Sequence, residues 1–169
     1  YNGPGSAAGI DQFWDPGYFL PTPPFHNMMT VLETSPWIRR LQPAAGTTLT
    51  LDAVKLTVLG PGIGLRNRFD TYGVQINDSS ITLMVDYPAN HLFAAPSGER
   101  VDRRAAPGKS RRLLLGGDAQ FTSWAQTTVD FPDLVQEQNT TLAKELRTAL
   151  GRDYLSADMM KISHHASKH

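Results

Sequence analysis

Cysteine is missing from all 169 residues, and its absence removes three chemistries at once. No disulfide can form, no thiolate can hold a metal, and no cysteine nucleophile is available. Any metal bound by this chain must rest on His, Asp, Glu or water. A surplus of charge is lacking as well, because 16 Lys and Arg are balanced by 16 Asp and Glu. That balance gives no reason to expect a polyanion-binding surface or an acidic-substrate trap. Long hydrophobic runs are also wanting: no stretch reaches the about 20 apolar residues that span a bilayer. Residues 1–8 do not show the basic-then-apolar order of a secretory signal. The expectation is a cytoplasmic protein without a membrane segment.

What is present suits one domain, since a chain of 169 residues can bury one sizeable core but not two. Residues 1–169 are therefore expected to form a single domain or a piece of one. The chain opens on a Gly/Ala/Ser-rich run and stops at Ser167-Lys168-His169, directly after a strand-like segment. A buried strand with its histidines at a fraying end is an unfavourable place for a terminus, so a longer parent domain is expected.

Residues 11–25 carry Pro16, Pro21, Pro23 and Pro24 among aromatics, too many prolines for a helix interior. They predict a short strand followed by an ordered loop. Asn27 can cap a helix running to Glu33, stopped by Ser35-Pro36, with a further turn over 37–41. Leu49, Leu51, Val54, Leu56 and Val58 predict two β segments meeting at Asp52-Ala53 and ending at Gly60-Pro61-Gly62. A polar loop over 66–73 leads to a buried strand over 81–87. Residues 88–112 concentrate Pro, Gly and Arg and read as a long exposed hairpin or insertion. Leu113-Leu114-Leu115 then forms a strand that ends on Gly116-Gly117-Asp118, with a helix over 121–127. A second helix is predicted over 139–150, capped by Asn139 and stopped at Gly151. The last element is a short strand over 158–163 that runs into His164-His165. This order suits an α/β sandwich.

Two strand ends thus deliver ligand-type groups, and strand ends are where α/β folds place their sites. Glycines before Asp118 let the backbone approach a metal or substrate closely and leave the carboxylate as the projecting group. Adjacent histidines at a strand end point to opposite sides, so one can bind a metal while the other meets substrate or an outer carboxylate. Each feature taken singly is the ordinary content of a turn or a half-buried histidine; their combination in this order points to a metal.

With those residues in view, Leu113 to Ala119 and Ala-Asp-Met-Met-Lys-Ile-Ser-His-His-Ala-Ser-Lys-His at 157–169 resemble the closing half of metallo-β-lactamase-fold hydrolases. The branch that contains the hydrolase domain of competence DNA-uptake channel proteins is the most similar one. Asn77-Asp78-Ser79-Ser80 resembles that branch's lead into the strand before Gly-Asp. The resemblance covers roughly residues 48–169. It implies a four-layer αββα sandwich, present here as a partial domain, and one or two Zn²⁺ ions, with Mn or Fe as alternatives. It further implies that Asp118 bridges the metal and that His164 or His165 is the late metal-binding histidine. Asn77 and Asp78 would lie near the metal, Asp15 near the site entrance, and Lys168 beside an anionic substrate. The His-x-His-x-Asp-His signature that opens such sites is absent from these residues, since His26 and His91 stand alone; it is expected upstream of Tyr1.

The implied activity is metal-assisted hydrolysis of an ester, amide or phosphodiester in a small molecule or phosphodiester substrate. The alternative is a degenerate copy of the fold that acts as a binding module. Arg100, Arg103, Arg104, Arg111 and Arg112 invite a nucleic-acid reading, but Glu99 and Asp102 dilute them and no aromatic residue interleaves the cluster.

Overall fold

The computed structural model describes residues 10–69, 76–88, 93–94, 100–101, 110–131 and 155–163. The described chain is mixed α/β. A five-stranded sheet, antiparallel over four strands with a fifth added in parallel at one side, is accompanied by two two-stranded sheets.

The first small unit is a strand, helix and strand: β1 (Gln12–Trp14), α1 (Pro23–Glu33) and β2 (Arg39–Leu41). β1 and β2 pair in parallel, Gln12 opposite Arg39, a geometry that requires a crossover, which α1 supplies. Two sequence expectations are corrected here. The helix begins at Pro23 rather than at an Asn27 cap, with Pro23 and Pro24 in the first turn, where a missing N–H costs nothing and the ring's fixed φ favours helix. Residues 39–41 form a strand instead of a turn, because β1 offers them a partner that lies 27 positions away in the register Gln12↔Arg39.

The main sheet follows the expected pattern more closely. β3 (Thr48–Leu51) and β4 (Val54–Gly60) form a hairpin around Asp52, whose φ is 54°. A bulge in the β4–β5 pairing falls between Val58 and Gly60, and the two successive residues Val58 and Leu59 are both buried. α2 (Ile63–Arg66) follows, a short helix where a loop was expected to begin. A 3₁₀ turn at Ile76–Ser79 then feeds β5 (Thr82–Tyr87).

Beyond β5, β6 (Phe93–Ala94) pairs antiparallel with β7 (Arg100–Val101), a hairpin within the expected insertion. β8 (Arg111–Leu115) returns antiparallel to β5, with Met84 opposite Leu114 and Asp86 opposite Arg112. Arg111 and Arg112 therefore belong to the sheet, Arg111 exposed and Arg112 buried, while Arg103 and Arg104 lie outside the described residues. Arg112 Nε lies 2.7 Å from Asp86 Oδ1 and Arg111 Nη1 lies 3.6 Å from Asp158 Oδ1. After α3 (Phe121–Asp130), β9 (Met159–Lys161) adds to β8 in parallel. The helix predicted over 139–150 lies outside the described residues.

Strand residues alternate between faces, and one face of the sheet carries the core. Thr82, Met84 and Leu114 are buried on it, and Leu59, Met84, Leu114 and Phe131 form the central cluster, with Trp124 and Leu155 packed against it. Among the described residues no helix is long and apolar enough to cross a membrane.

Candidate functional site

Register alone brings four strand ends to one edge of the main sheet. Gly60 of β4 pairs with Thr82 of β5, Leu83 with Leu115 of β8, and Leu115 with Lys161 of β9. β4 therefore ends, β5 begins, and β8 and β9 end side by side. Asp118 leaves β8 at this edge, and Ser163, the residue before His164, leaves β9 there too.

The two glycines before Asp118 are required for different reasons. A Cβ on Gly116 would lie 2.0 Å from Ser163 Oγ and 2.9 Å from Trp124 Cζ2, so only glycine lets the ends of β8 and β9 touch. Gly117 adopts φ +56°, and a Cβ there would lie 3.1 Å from Ser80 Cβ; the left-handed conformation favours glycine. The Asp118 backbone N–H then donates to Ser80 Oγ at 3.1 Å, and the Ala119 N–H to the Gly116 carbonyl at 3.1 Å. The half-buried Asp118 is thus carried on a tight turn whose backbone is bound to the start of β5.

Asp78 is only 2% exposed. Its Oδ1 accepts the Ser123 N–H at 3.1 Å, satisfying a donor in the first turn of α3, where a carboxylate also complements the helix dipole. Asn77 stands beside it in the 3₁₀ turn, its carbonyl accepting the Ser80 N–H at 3.1 Å. Asn77 and Asp78 thus lie in the turn next to Ser80, with Asp78 engaged as an organiser of α3. Deeper in, Thr82 Oγ1 and Ser123 Oγ are buried without hydrogen-bond partners among the described residues, and a Cβ on Gly60 would lie 2.8 Å from Thr82 Oγ1.

Asp15 sits on the β1–β2 unit. It is 4% exposed, its Oδ1 accepts the Gly17 N–H at 2.6 Å, and its Oδ2 pairs with Arg40 Nε. Burial lowers the pKa of Arg66, opposed by the nearby Asp15 charge; Arg66 Nη1 donates to the Gln42 carbonyl at 3.0 Å. The bonds to Gly17 and Arg40 hold Asp15 within the small unit. His164, His165 and Lys168 lie outside the described residues. His26 packs edge-on against Phe19 and Phe25 with ring centroids 5.8 and 6.3 Å away. Two hollows, of about 230 and 340 Å³, are lined by the small unit's residues, among them His26 in one and Phe13 in the other, and Asp118 is in neither.

Compared with known proteins, the chain matches no family model, no curated protein and no solved structure.

The fit to a metal is read from the donors at the edge. Asp118 supplies a hard carboxylate at the end of a glycine turn, a donor type suited to a divalent ion. No group of three His, Cys, Asp or Glu that could hold a metal occurs among the described residues. The described edge therefore offers one carboxylate, and the other donors of a metal site would have to come from outside the described residues, His164 and His165 among them. Sequence reasoning missed Ser80, Ser123 and Ser163. Ser80 and Ser123 act through contacts 38 and 45 positions away in sequence, for which a local pattern carries no signal.

Proposed function

We propose that this protein is a metal-dependent hydrolase of the metallo-β-lactamase type, its mixed sheet forming part of a four-layer αββα sandwich. The observation that supports this reading is the parallel pairing of β8 with β9, Leu115 opposite Lys161. It sets the strand end that delivers Asp118 beside the one that leads through Ser163 to His164-His165.

In this reading Asp118 would help to hold one or two Zn²⁺ ions, with Mn or Fe as alternatives, and His164 or His165 would be the nitrogen ligand. A bound divalent ion supplies Lewis-acid polarisation and lowers the pKa of water towards about 7. The chain's own contribution is placement. Gly116 lets the end of β8 lie against Ser163 and Trp124, Gly117 turns the chain, and Ser80 fixes the Asp118 backbone. Asp78 holds the start of α3 against the same edge, and Lys168 would attract an anionic substrate group. The bond cleaved is an ester, an amide or a phosphodiester. The pairing of Arg111 and Arg112 with aspartates leaves less free positive charge for nucleic acid than the sequence suggested.

Elemental analysis of the full-length protein beside an Asp118→Ala variant tests the reading. Near-stoichiometric Zn, Mn or Fe in the parent that falls in the variant is the expected result. Metal in neither protein overturns it and leaves a binding module.

A further inference from the structure

β9 is the least secured strand of the main sheet. It has three residues, all exposed, and among the described strands it lies at the end of the order with β8 as its one neighbour. A short edge strand specifies its register weakly, and a slip by one residue turns every side chain to the other face. For a strand that leads into His164-His165, register matters to function.

One residue secures it from three directions. Arg112 stands at the start of β8 with its side chain 10% exposed. Its backbone N–H donates to Asp158 Oδ2 at 2.7 Å, and its carbonyl accepts the Asp158 N–H at 3.0 Å. Its Nη1 donates to the Ser156 carbonyl at 3.0 Å, while its Nε faces Asp86 Oδ1 of β5 at 2.7 Å. Arg111 Nη1 adds a longer contact to Asp158 Oδ1, at 3.6 Å. Arg112 opposite Asp158 extends the ladder Leu113↔Met159 by one step, but with a side chain in place of a backbone acceptor, so the fit cannot be repeated one residue along. At the other end of β9, Ser163 occupies a slot against Gly116 and Trp124 too tight for an added Cβ on Gly116. A slipped strand would bring a different side chain into that slot.

Resting on the metal-site reading above, we infer that Arg112 and Asp158 are positioning residues: they lock the register of β9 and so fix its end, Ser163, against the end of β8 that carries Asp118. They touch neither metal nor substrate and act through β9.

The test is Zn²⁺ titration of the metal-stripped full-length protein, with hydrogen exchange of the 155–163 segment measured on the same samples. Asp158→Ala should weaken Zn²⁺ affinity about 10-fold or more, reaching at most the range found when a group bonded directly to a metal ligand is lost, and speed exchange in that segment. Asp158→Asn keeps an oxygen acceptor for the Arg112 N–H and should recover most of the affinity. Asp52→Val, at the β3–β4 turn, lowers stability without touching β9 and should leave affinity unchanged. Unchanged affinity in Asp158→Ala, or an equal loss in Asp52→Val, overturns the proposal. Should the parent bind no Zn²⁺, the metal-site reading fails by itself; faster exchange in Asp158→Ala then upholds the register lock, and unaltered exchange overturns that as well.

Discussion

Single residues at the candidate edge are constrained by space more than by charge. Gly116 is the clearest case, since a methyl group there would overlap Ser163 Oγ at 2.0 Å and press on the Trp124 ring. Overpacking of this kind costs about 1–3 kcal/mol. Gly116→Ala is expected to lower the urea midpoint accordingly, and to reduce any bound metal by parting the ends of β8 and β9. Asp78 shows the opposite relation of residue type to surroundings. A carboxylate at 2% exposure is costly unless bonded, and the Ser123 N–H at 3.1 Å provides one bond. The sequence marks Asp78 as a chemical candidate, whereas the fold uses it to hold a helix start. Nothing local separates those uses, because the deciding partner is 45 positions away.

At the scale of elements, turn and strand chemistry were read well wherever the information is local. The hairpin of β3 and β4 was legible from alternation around Asp52-Ala53, and Asp52 indeed carries the positive φ of 54°. Aspartate tolerates that conformation where a β-branched residue does not. Asp52→Val should therefore cost about 1–3 kcal/mol, measured as a lower thermal midpoint with unchanged circular dichroism at low temperature. Elements that depend on a distant partner were missed. β2 carries three exposed residues, Arg39, Arg40 and Leu41, and has no pattern of its own; it is a strand because β1 pairs with it. The start of α1 was displaced for a related reason, since prolines that exclude a helix interior are favourable in a first turn.

For the whole molecule, the core face of the main sheet joins two polar ends. Thr82, Ser123 and Asp78 are buried towards the edge that carries Asp118, and Arg112 with Asp86 lies towards the other, while Met84 and Leu114 fill the middle. Met84 is 0% exposed, so Met84→Ala should cost about 2–5 kcal/mol through lost burial and a residual cavity, read as a shift of the chemical denaturation midpoint. The sequence by itself determined the class of structure, the strands over 48–60 and 82–87, the 113–115 part of β8, a short strand around 159–161, and the glycine turn that presents Asp118. Those features follow from alternation, apolar runs and glycine punctuation, which act over a few residues. Only the tertiary structure decided which strand ends meet, that Ser80 binds the Asp118 backbone, that Asp78 caps α3, and that Arg112 joins β5, β8 and β9. Strand order and register are set by burial and by hydrogen bonds between segments far apart in the chain, and no short window of sequence contains both partners.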